Sequence, residues 1–227
     1  VLCLKGGRSL EAADAMASHT GSLAGSDGLY EGLFGQSGVV RVDEYEDLLD
    51  CAKVFTRGLL PGGNRLGIIT LTGAIGIQCI DLGAEAGLVP GRLTSPSRDR
   101  LAGISATLGG HPIDLGPASA MDGPALFGHY MKCFDILMAD PGVDCVYLNL
   151  YIGSYMAPEL YEGVFAHIES NMVKPVVMWS YGPVKESVTA LNALGESHGI
   201  PAYATTGKAV RSLGHLARYA RWREKYS

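Results

Sequence analysis

The sequence predicts an α/β fold with a parallel sheet and helices on both faces. Short apolar runs alternate along the chain with longer segments of helical periodicity. Residues 66–70, 144–150 and 173–180 have the nearly continuous apolar character of buried parallel strands. A helical pattern follows each of them, in the order expected when crossover helices join parallel strands.

The other predicted elements are shorter strands and seven helices. Weaker strand patterns occupy residues 1–5, 38–42, 88–93 and 202–204. Helical patterns occupy residues 27–36, 43–57, 76–86, 124–139, 158–171, 185–198 and 206–222.

An internal repeat indicates two similar units. Near both ends of the chain, a strand leads to a helix, then to a second short strand, and then to another helix. Each copy corresponds to the closing half of a flavodoxin-like domain, and only the second copy also has an opening half. The turn-rich stretch at residues 60–64 separates the two. We therefore expect residues 61–227 to form a flavodoxin-like domain, and residues 1–60 the C-terminal half of a second one, with its other strands outside this chain.

The composition narrows the classes of function. The 227 residues are 47% hydrophobic and 18% charged, with a net charge of −5, which is typical of a globular protein. Without a basic run, neither a nucleic-acid surface nor an anionic membrane surface is expected as a partner. No apolar run approaches the length of a membrane span. The five scattered cysteines indicate free thiols in the cytoplasm and no zinc site.

His19 is the most distinctive candidate for chemistry. It lies in an interval of about twenty residues between the first strand and the next predicted helix, where the second copy needs only four. We expect this interval, residues 6–26, to be a long functional loop. Imidazole is a competent nucleophile near neutral pH, and small neighbours let it approach a partner closely. The alternative is a surface histidine that precedes an ordinary helix cap.

A glycine-containing turn after the strand at 66–70 is the second candidate. It opens a helix, so its free amides and the helix dipole favour an anion. The position at the end of the first strand of the sheet is where open α/β sheets bind ligands. The residues are Thr72, Gly73, Ala74, Ile75 and Gly76. Such a turn is neither a Walker motif nor a full dinucleotide fingerprint, and it also occurs as a plain packing turn.

These segments resemble a known family, the ADP-forming acetyl-CoA synthetases, which are related to succinyl-CoA synthetase. The resemblance covers essentially the whole chain, and the histidine segment is its most specific part. Residues 5–9 (KGGRS), 18–27 (SHTGSLAGSD) and 36–42 (QSGVVRV) resemble the second domain of those enzymes. Residues 63–70 (GNRLGIIT), 73–76 and 111–115 (HPIDL) resemble the domain that follows.

The resemblance implies an NDP-forming acid–thiol ligase that interconverts acyl-CoA, phosphate and ADP with acid, CoA and ATP. An acyl phosphate forms, and His19 then takes the phosphoryl group and carries it to the nucleotide. The turn at 72–76 is implied as the phosphate-binding helix N-terminus. The resemblance also implies that the residues next to His19 support its loop: Ser18, Thr20, Gly21 and Ser22.

The same resemblance implies partners beyond this chain. CoA, ATP or ADP and Mg²⁺ serve the complete enzyme through a CoA-binding domain and ATP-grasp domains that this sequence lacks, and no cofactor is bound tightly by this chain. The resemblance also implies that the complete enzyme is a homo- or hetero-oligomer, and we expect this chain alone to be inactive. The acyl group and the choice between ADP and GDP stay open.

Two alternative functions stay open, and the sequence differs from the family pattern at two places. The alternatives to an acyl-CoA synthetase are a catalytically inactive acyl-CoA-sensing regulatory domain and a flavodoxin-like ligand-binding module. The turn reads Thr-Gly-Ala-Ile-Gly where the family has Ser-Gly-Gly-Pro-Gly or a similar sequence. His111 stands where the family often has asparagine, three residues before Asp114.

Overall fold

The computed structural model describes residues 1–20, 25–117 and 123–226. Its helices are α1 (Leu10–Thr20), α2 (Asp27–Ser37), α3 (Tyr45–Phe55), α4 (Gly73–Glu85), α5 (Ser95–Ile104), α6 (Gly123–Ala139), α7 (Glu162–Asn171), α8 (Lys185–Ser197) and α9 (Thr206–Tyr226). Its strands are β1 (Leu2–Leu4), β2 (Val40–Val42), β3 (Arg65–Thr70), β4 (Val89–Pro90), β5 (Ile113–Asp114), β6 (Cys145–Tyr151), β7 (Val176–Tyr181) and β8 (Ala202–Tyr203). Short 3₁₀ helices span Ala106–Leu108 and Pro158–Tyr161.

The strands form two parallel sheets. β1 pairs with β2, and the larger sheet has the order β4-β3-β6-β7-β8, with β5 also paired to β3. Numbered within the larger sheet from β3, with β5 left aside, this order is 2-1-3-4-5, the doubly wound order of flavodoxin-like folds. The predicted fold class is therefore confirmed.

Each face of the larger sheet is covered by its own helices because its strands are apolar on both sides. One apolar cluster joins Leu66, Ile68 and Tyr147 to α4 and α9. The other joins Ile69 and Leu148, which point to the opposite face, to α5, α6, α7 and α8. The two clusters together make up the core of the larger sheet.

The small β1–β2 sheet is attached to the larger unit mainly through α3, which packs on α9. Lys53 on α3 donates hydrogen bonds to Glu196 and to the Ala202 carbonyl, both at 2.8 Å. The Trp222 indole on α9 donates to the Gln36 carbonyl at 3.2 Å. The two sheets are thus connected by both apolar and polar contacts.

The prediction of a continuous loop over residues 6–26 is wrong, because residues 10–20 form α1. Its sequence, LEAADAMASHT, is rich in alanine, the residue with the highest helix propensity. The Ser9 hydroxyl accepts a hydrogen bond from the Ala12 amide at 3.2 Å, as an N-cap residue does. The long interval between strand and helix misled the prediction, although serine followed by an alanine-rich segment is itself a helix signal.

Two further elements were missed and one was overextended. Neither α5, which has few apolar residues, nor the two-residue strand β5 was predicted. The strand predicted at 88–93 contracts to Val89–Pro90, since proline offers no amide to the sheet.

None of the helices in the described part of the chain combines the length and apolar character needed to cross a membrane. All five cysteines are free thiols, as predicted. Four are buried and Cys3 is half-buried, so they pack as small apolar side chains.

Candidate functional site

The candidate site lies where the strand order of the larger sheet reverses. From β3 the chain first adds β4 on one side and later adds β6 on the other. Loops leave the carboxyl ends of β3 and β6 in opposite directions, which opens a crevice between them. Thr70 ends β3 at this crevice, and Tyr151 ends β6. The glycine-containing turn is therefore at the edge of the sheet that the sequence predicted.

The N-terminus of α4 is left open by its own side chains. Thr72 is the N-cap residue, and its side chain makes no capping hydrogen bond. Its carbonyl accepts the first intrahelical bond, from the Gly76 amide at 3.1 Å. The amides of Gly73, Ala74 and Ile75 therefore precede the helical hydrogen-bond ladder, and they are the groups with which a helix N-terminus binds an anion.

The Thr70 side chain holds the turn that leads into this helix. Its hydroxyl oxygen accepts a hydrogen bond from the Thr72 amide at 3.1 Å and lies 3.0 Å from the Thr72 carbonyl oxygen. The same hydroxyl lies 3.3 Å from Asn149 Oδ1, across the switch point on β6. Asn149 is fully buried, and its amide donates to the Trp179 carbonyl on β7 at 3.3 Å. One polar network thus links the turn to the next two strands.

The two glycines of the turn serve close packing. Neither glycine has a positive φ, so the backbone at these two positions does not itself require glycine. A Cβ atom on Gly76 would lie 2.7 Å from Cγ of Pro112, and one on Gly73 would lie 3.2 Å from Asp114 Oδ2. Gly76 therefore seats the first turn of α4 against Pro112.

Asp114 brings a negative charge to the same place. β5 pairs it with Thr70, and its Oδ1 accepts a hydrogen bond from the Gly116 amide at 2.8 Å. Its other oxygen faces Gly73. The carboxylate is thus both an ordinary turn residue and a neighbour of the open amides, where it opposes a second anion.

His111 contacts the sheet, away from its carboxyl edge. Its Nε2 accepts a hydrogen bond from the Ile68 amide at 3.0 Å, in the gap between the pairings of β4 and β5 with β3. Burial lowers the pKa of His111 to about 4, so the ring is neutral and able to accept at Nε2. This histidine supplies a backbone hydrogen bond that a strand would otherwise provide.

His19 lies apart, in the last turn of α1. It is exposed, as is Ser18, whose hydroxyl donates to the Ala15 carbonyl at 2.8 Å. Thr20 ends the helix, and Gly21 and Ser22 lie outside the described residues. Among the described residues, no hydrogen bond or ion pair joins His19 to the α4 turn. Residues 72–76 thus lie at the carboxyl end of β3, and His19 is exposed at the end of α1.

The family comparison identifies the class of the N-terminal unit. Residues 1–55 match the family described as the succinyl-CoA ligase like flavodoxin domain. A solved structure of an acetyl-coenzyme A synthetase 1 from Candidatus Korarchaeum cryptofilum, in complex with phosphate and ADP, superposes with a TM-score of 0.83 at 27% identity. That likeness covers 98% of this chain and 47% of the other.

Curated relatives agree along the whole chain. The alpha subunit of acetate–CoA ligase [ADP-forming] I from Pyrococcus furiosus is 32% identical, over 100% of this chain and 48% of the relative. Acetate–CoA ligase [ADP-forming] II from Archaeoglobus fulgidus is 30% identical, over 98% of this chain and 33% of the relative. The chain thus spans about a third to a half of the length of these relatives. It is a homologue of one region of the ADP-forming acyl-CoA synthetases, which confirms the resemblance seen in the sequence.

Proposed function

We propose that this chain is part of an NDP-forming acyl-CoA synthetase, with His19 as the residue that is phosphorylated. The observation that carries the proposal is the open N-terminus of α4 at the switch point of a sheet homologous to those ligases. We assign residues 1–60 to the C-terminal part of a succinyl-CoA-ligase-like domain and residues 61–227 to a flavodoxin-like ligase domain. The free thiols favour a cytoplasmic location.

The proposed reaction proceeds in three balanced steps. A phosphate oxygen attacks the thioester carbonyl, the C–S bond breaks, and CoA leaves as the thiol with an acyl phosphate as product. A ring nitrogen of His19 then attacks phosphorus, and the carboxylate leaves as the P–O bond breaks. Finally the terminal oxygen of the nucleoside diphosphate attacks phosphorus, the P–N bond breaks, and the triphosphate and neutral His19 result.

The α4 turn is proposed to hold the phosphoryl group during these transfers. A helix N-terminus carries about +0.5 elementary charge, and amides aimed at an anion are stabilising by about 0.3–2 kcal/mol. Preorganised amides need no reorganisation as charge moves between the phosphoryl oxygens, so they stabilise the transition state as well. Thr70 supports this role because its hydroxyl fixes the Thr72 amide.

The position of His19 suits a carrier. A phosphoryl group there would add negative charge at the C-terminal, negative end of α1. We estimate that this costs the last helical turn about 0.3–1 kcal/mol. Phosphorylation is therefore expected to loosen the end of α1 and to free the imidazole for transfer.

The complete enzyme requires components beyond residues 1–227. We assign CoA and nucleotide to companion CoA-binding and ATP-grasp domains. Among the described residues no group of three or more His, Cys, Asp or Glu side chains is arranged to hold a metal, and we place Mg²⁺ with the nucleotide. In the described residues β1 pairs only with β2, so we expect a companion strand to cover its open edge in a homo- or hetero-oligomer.

A coupled assay of the assembled enzyme tests the proposal. Acyl-CoA, phosphate and ADP are supplied with Mg²⁺, and ATP formation is measured for the unmodified protein, His19→Ala and His167→Gln. His167 is a matched histidine that bonds Asp135 at 2.7 Å, far along the chain from α1. We expect His19→Ala to abolish ATP formation and His167→Gln to retain it. Activity in the His19 variant would refute the assigned role.

A further inference from the structure

Three aromatic side chains form a continuous surface at the carboxyl edge of the larger sheet. We call Tyr151, Trp179 and Tyr181 the aromatic platform. The Trp179 and Tyr181 rings stack at 5.4 Å between centroids with an interplanar angle of 20°. Tyr151 and Tyr181 are register partners on β6 and β7, and their ring centroids lie 5.1 Å apart. The three rings, with Asn149, thus occupy the last two positions that these strands present on one face.

The platform lies on the α4 and α9 face of the sheet. Successive strand residues alternate in direction, so Tyr151 points to the same face as Tyr147. The Tyr147 hydroxyl lies 2.7 Å from the Thr206 hydroxyl, at the start of α9. α9 therefore begins on the same face as the platform, and its first residue contacts the Tyr147 side chain.

The end of the platform is only partly covered. β8 ends at Tyr203, the register partner of Trp179, so among the described residues no strand pairs with Tyr181 on that side. Tyr151 remains 38% exposed, and Trp179 and Tyr181 are half-buried. Large aromatic rings left partly open at the ligand edge of a sheet are suited to stacking on another flat ring.

The platform is next to the α4 turn. β6 is the neighbour of β3, and β7 follows, so the strands that carry the platform lie about 5 and 10 Å from the strand that ends at Thr70. Asn149 spans this interval, from the Thr70 hydroxyl to the Trp179 carbonyl. A small ligand therefore reaches both the open amides and the rings.

We propose that the aromatic platform binds a planar ring that is attached to a phosphoryl group held by the α4 turn. The inference rests on the proposed phosphate site and adds the class of ligand. Two sources supply this chemistry: the acyl phosphate of an aromatic acid, and a nucleotide whose base stacks on the rings. An aliphatic acyl phosphate would leave the platform without a role.

Fluorescence of this chain tests the proposal directly. The sequence has two tryptophans, so Trp222→Phe leaves Trp179 as the sole indole. Phenyl phosphate, AMP and methyl phosphate are titrated, and the same titrations are repeated by calorimetry on the unsubstituted chain in case Trp222→Phe unfolds. Tyr181→Ala removes a ring, and Tyr181→Phe keeps it.

The expected result is that phenyl phosphate or AMP quenches Trp179 and binds about tenfold more tightly than methyl phosphate, as one aromatic stack provides. Tyr181→Ala should remove most of that preference, and Tyr181→Phe should restore it. Preference for phenyl phosphate alone identifies the acyl source, and preference for AMP alone identifies the nucleotide.

Two other results are distinguishable. Equal binding of methyl and phenyl phosphate and of AMP overturns the platform inference while the phosphate site stands. No binding of any phosphate ester overturns both the platform inference and the proposed phosphate site.

Discussion

Replacing Gly76 by alanine tests whether the α4 turn depends on close packing. The new Cβ atom would lie 2.7 Å from Cγ and 3.0 Å from Cβ of Pro112, and 3.2 Å from Cγ2 of Thr70. Contacts between carbon atoms are optimal at about 3.5–4.0 Å, so the start of α4 or the Pro112 ring must shift. The shift would move the open amides relative to Thr70.

Gly83 in the same helix is the matched control. A Cβ atom there would lie 3.5 Å from Cδ2 of Leu66 and 3.8 Å from Cβ of Leu88, both ordinary contacts. Replacing glycine by alanine within a helix is stabilising by about 1 kcal/mol through helix propensity, and this contribution is common to both variants. Overpacking costs about 1–3 kcal/mol and affects only Gly76→Ala. We therefore expect Gly76→Ala to be less stable than Gly83→Ala by about 1–3 kcal/mol.

Urea unfolding followed by circular dichroism measures the difference in the free energy of unfolding between the two variants. The comparison requires that both variants have the same m-value. For a chain of this size, 1 kcal/mol corresponds to about 2–4 °C in Tm. Phosphate affinity should also fall in Gly76→Ala and stay unchanged in Gly83→Ala. If the two variants unfold at the same urea concentration and bind phosphate equally, the packing argument for the turn is refuted.

Two further predictions concern charges. Hydrogen bonding to Glu169, at 2.7 Å, and then to Glu162 raises the pKa of His198 above its usual value near 6.5. Because the pKa of His198 is higher in the folded than in the unfolded protein, its ion pairs stabilise the fold fully below about pH 6.5, and this stabilisation is lost as pH rises through the folded pKa. The free energy of unfolding of His198→Gln, measured between pH 5 and 9, should lack that pH dependence. Asp114→Asn removes the negative charge beside Gly73, so phosphate should bind about tenfold more tightly in calorimetry; unchanged or weaker binding would show that the carboxylate does not oppose the anion.

The larger sheet was predictable because its signals are strong and local. Residues 66–70 and 144–150 are nearly continuous apolar runs, and both fall largely on strands in the structure. Residues 72–76 were predicted as a turn that opens a helix at residue 76. In the structure α4 begins earlier, at Gly73, so only Thr72 of this segment lies outside the helix. A parallel sheet buried on both faces leaves few other ways to arrange such runs.

The remainder depends on contacts between residues distant in the chain. Asp114 reaches the turn only because β5 adds to β3, and a two-residue strand has no periodicity to detect. Asn149 looks like a polar interruption of a strand until its partner Thr70 is known. The contact of Gly76 with Pro112 likewise depends on the pairing of β5 with β3, because Pro112 directly precedes β5. Of these, only the polar residue inside an apolar run gave a sequence signal for the network.

Direct labelling of the protein tests most simply whether His19 carries the phosphoryl group. The chain is mixed with its companion domains, radiolabelled ATP and Mg²⁺, and the protein-bound label is examined for the acid lability and base stability of phosphohistidine. We predict such a label in the unsubstituted assembly and its loss in His19→Ala. A complete assembly without the label, or a label that persists in His19→Ala, would contradict the account and favour an acyl-CoA-sensing or ligand-binding role.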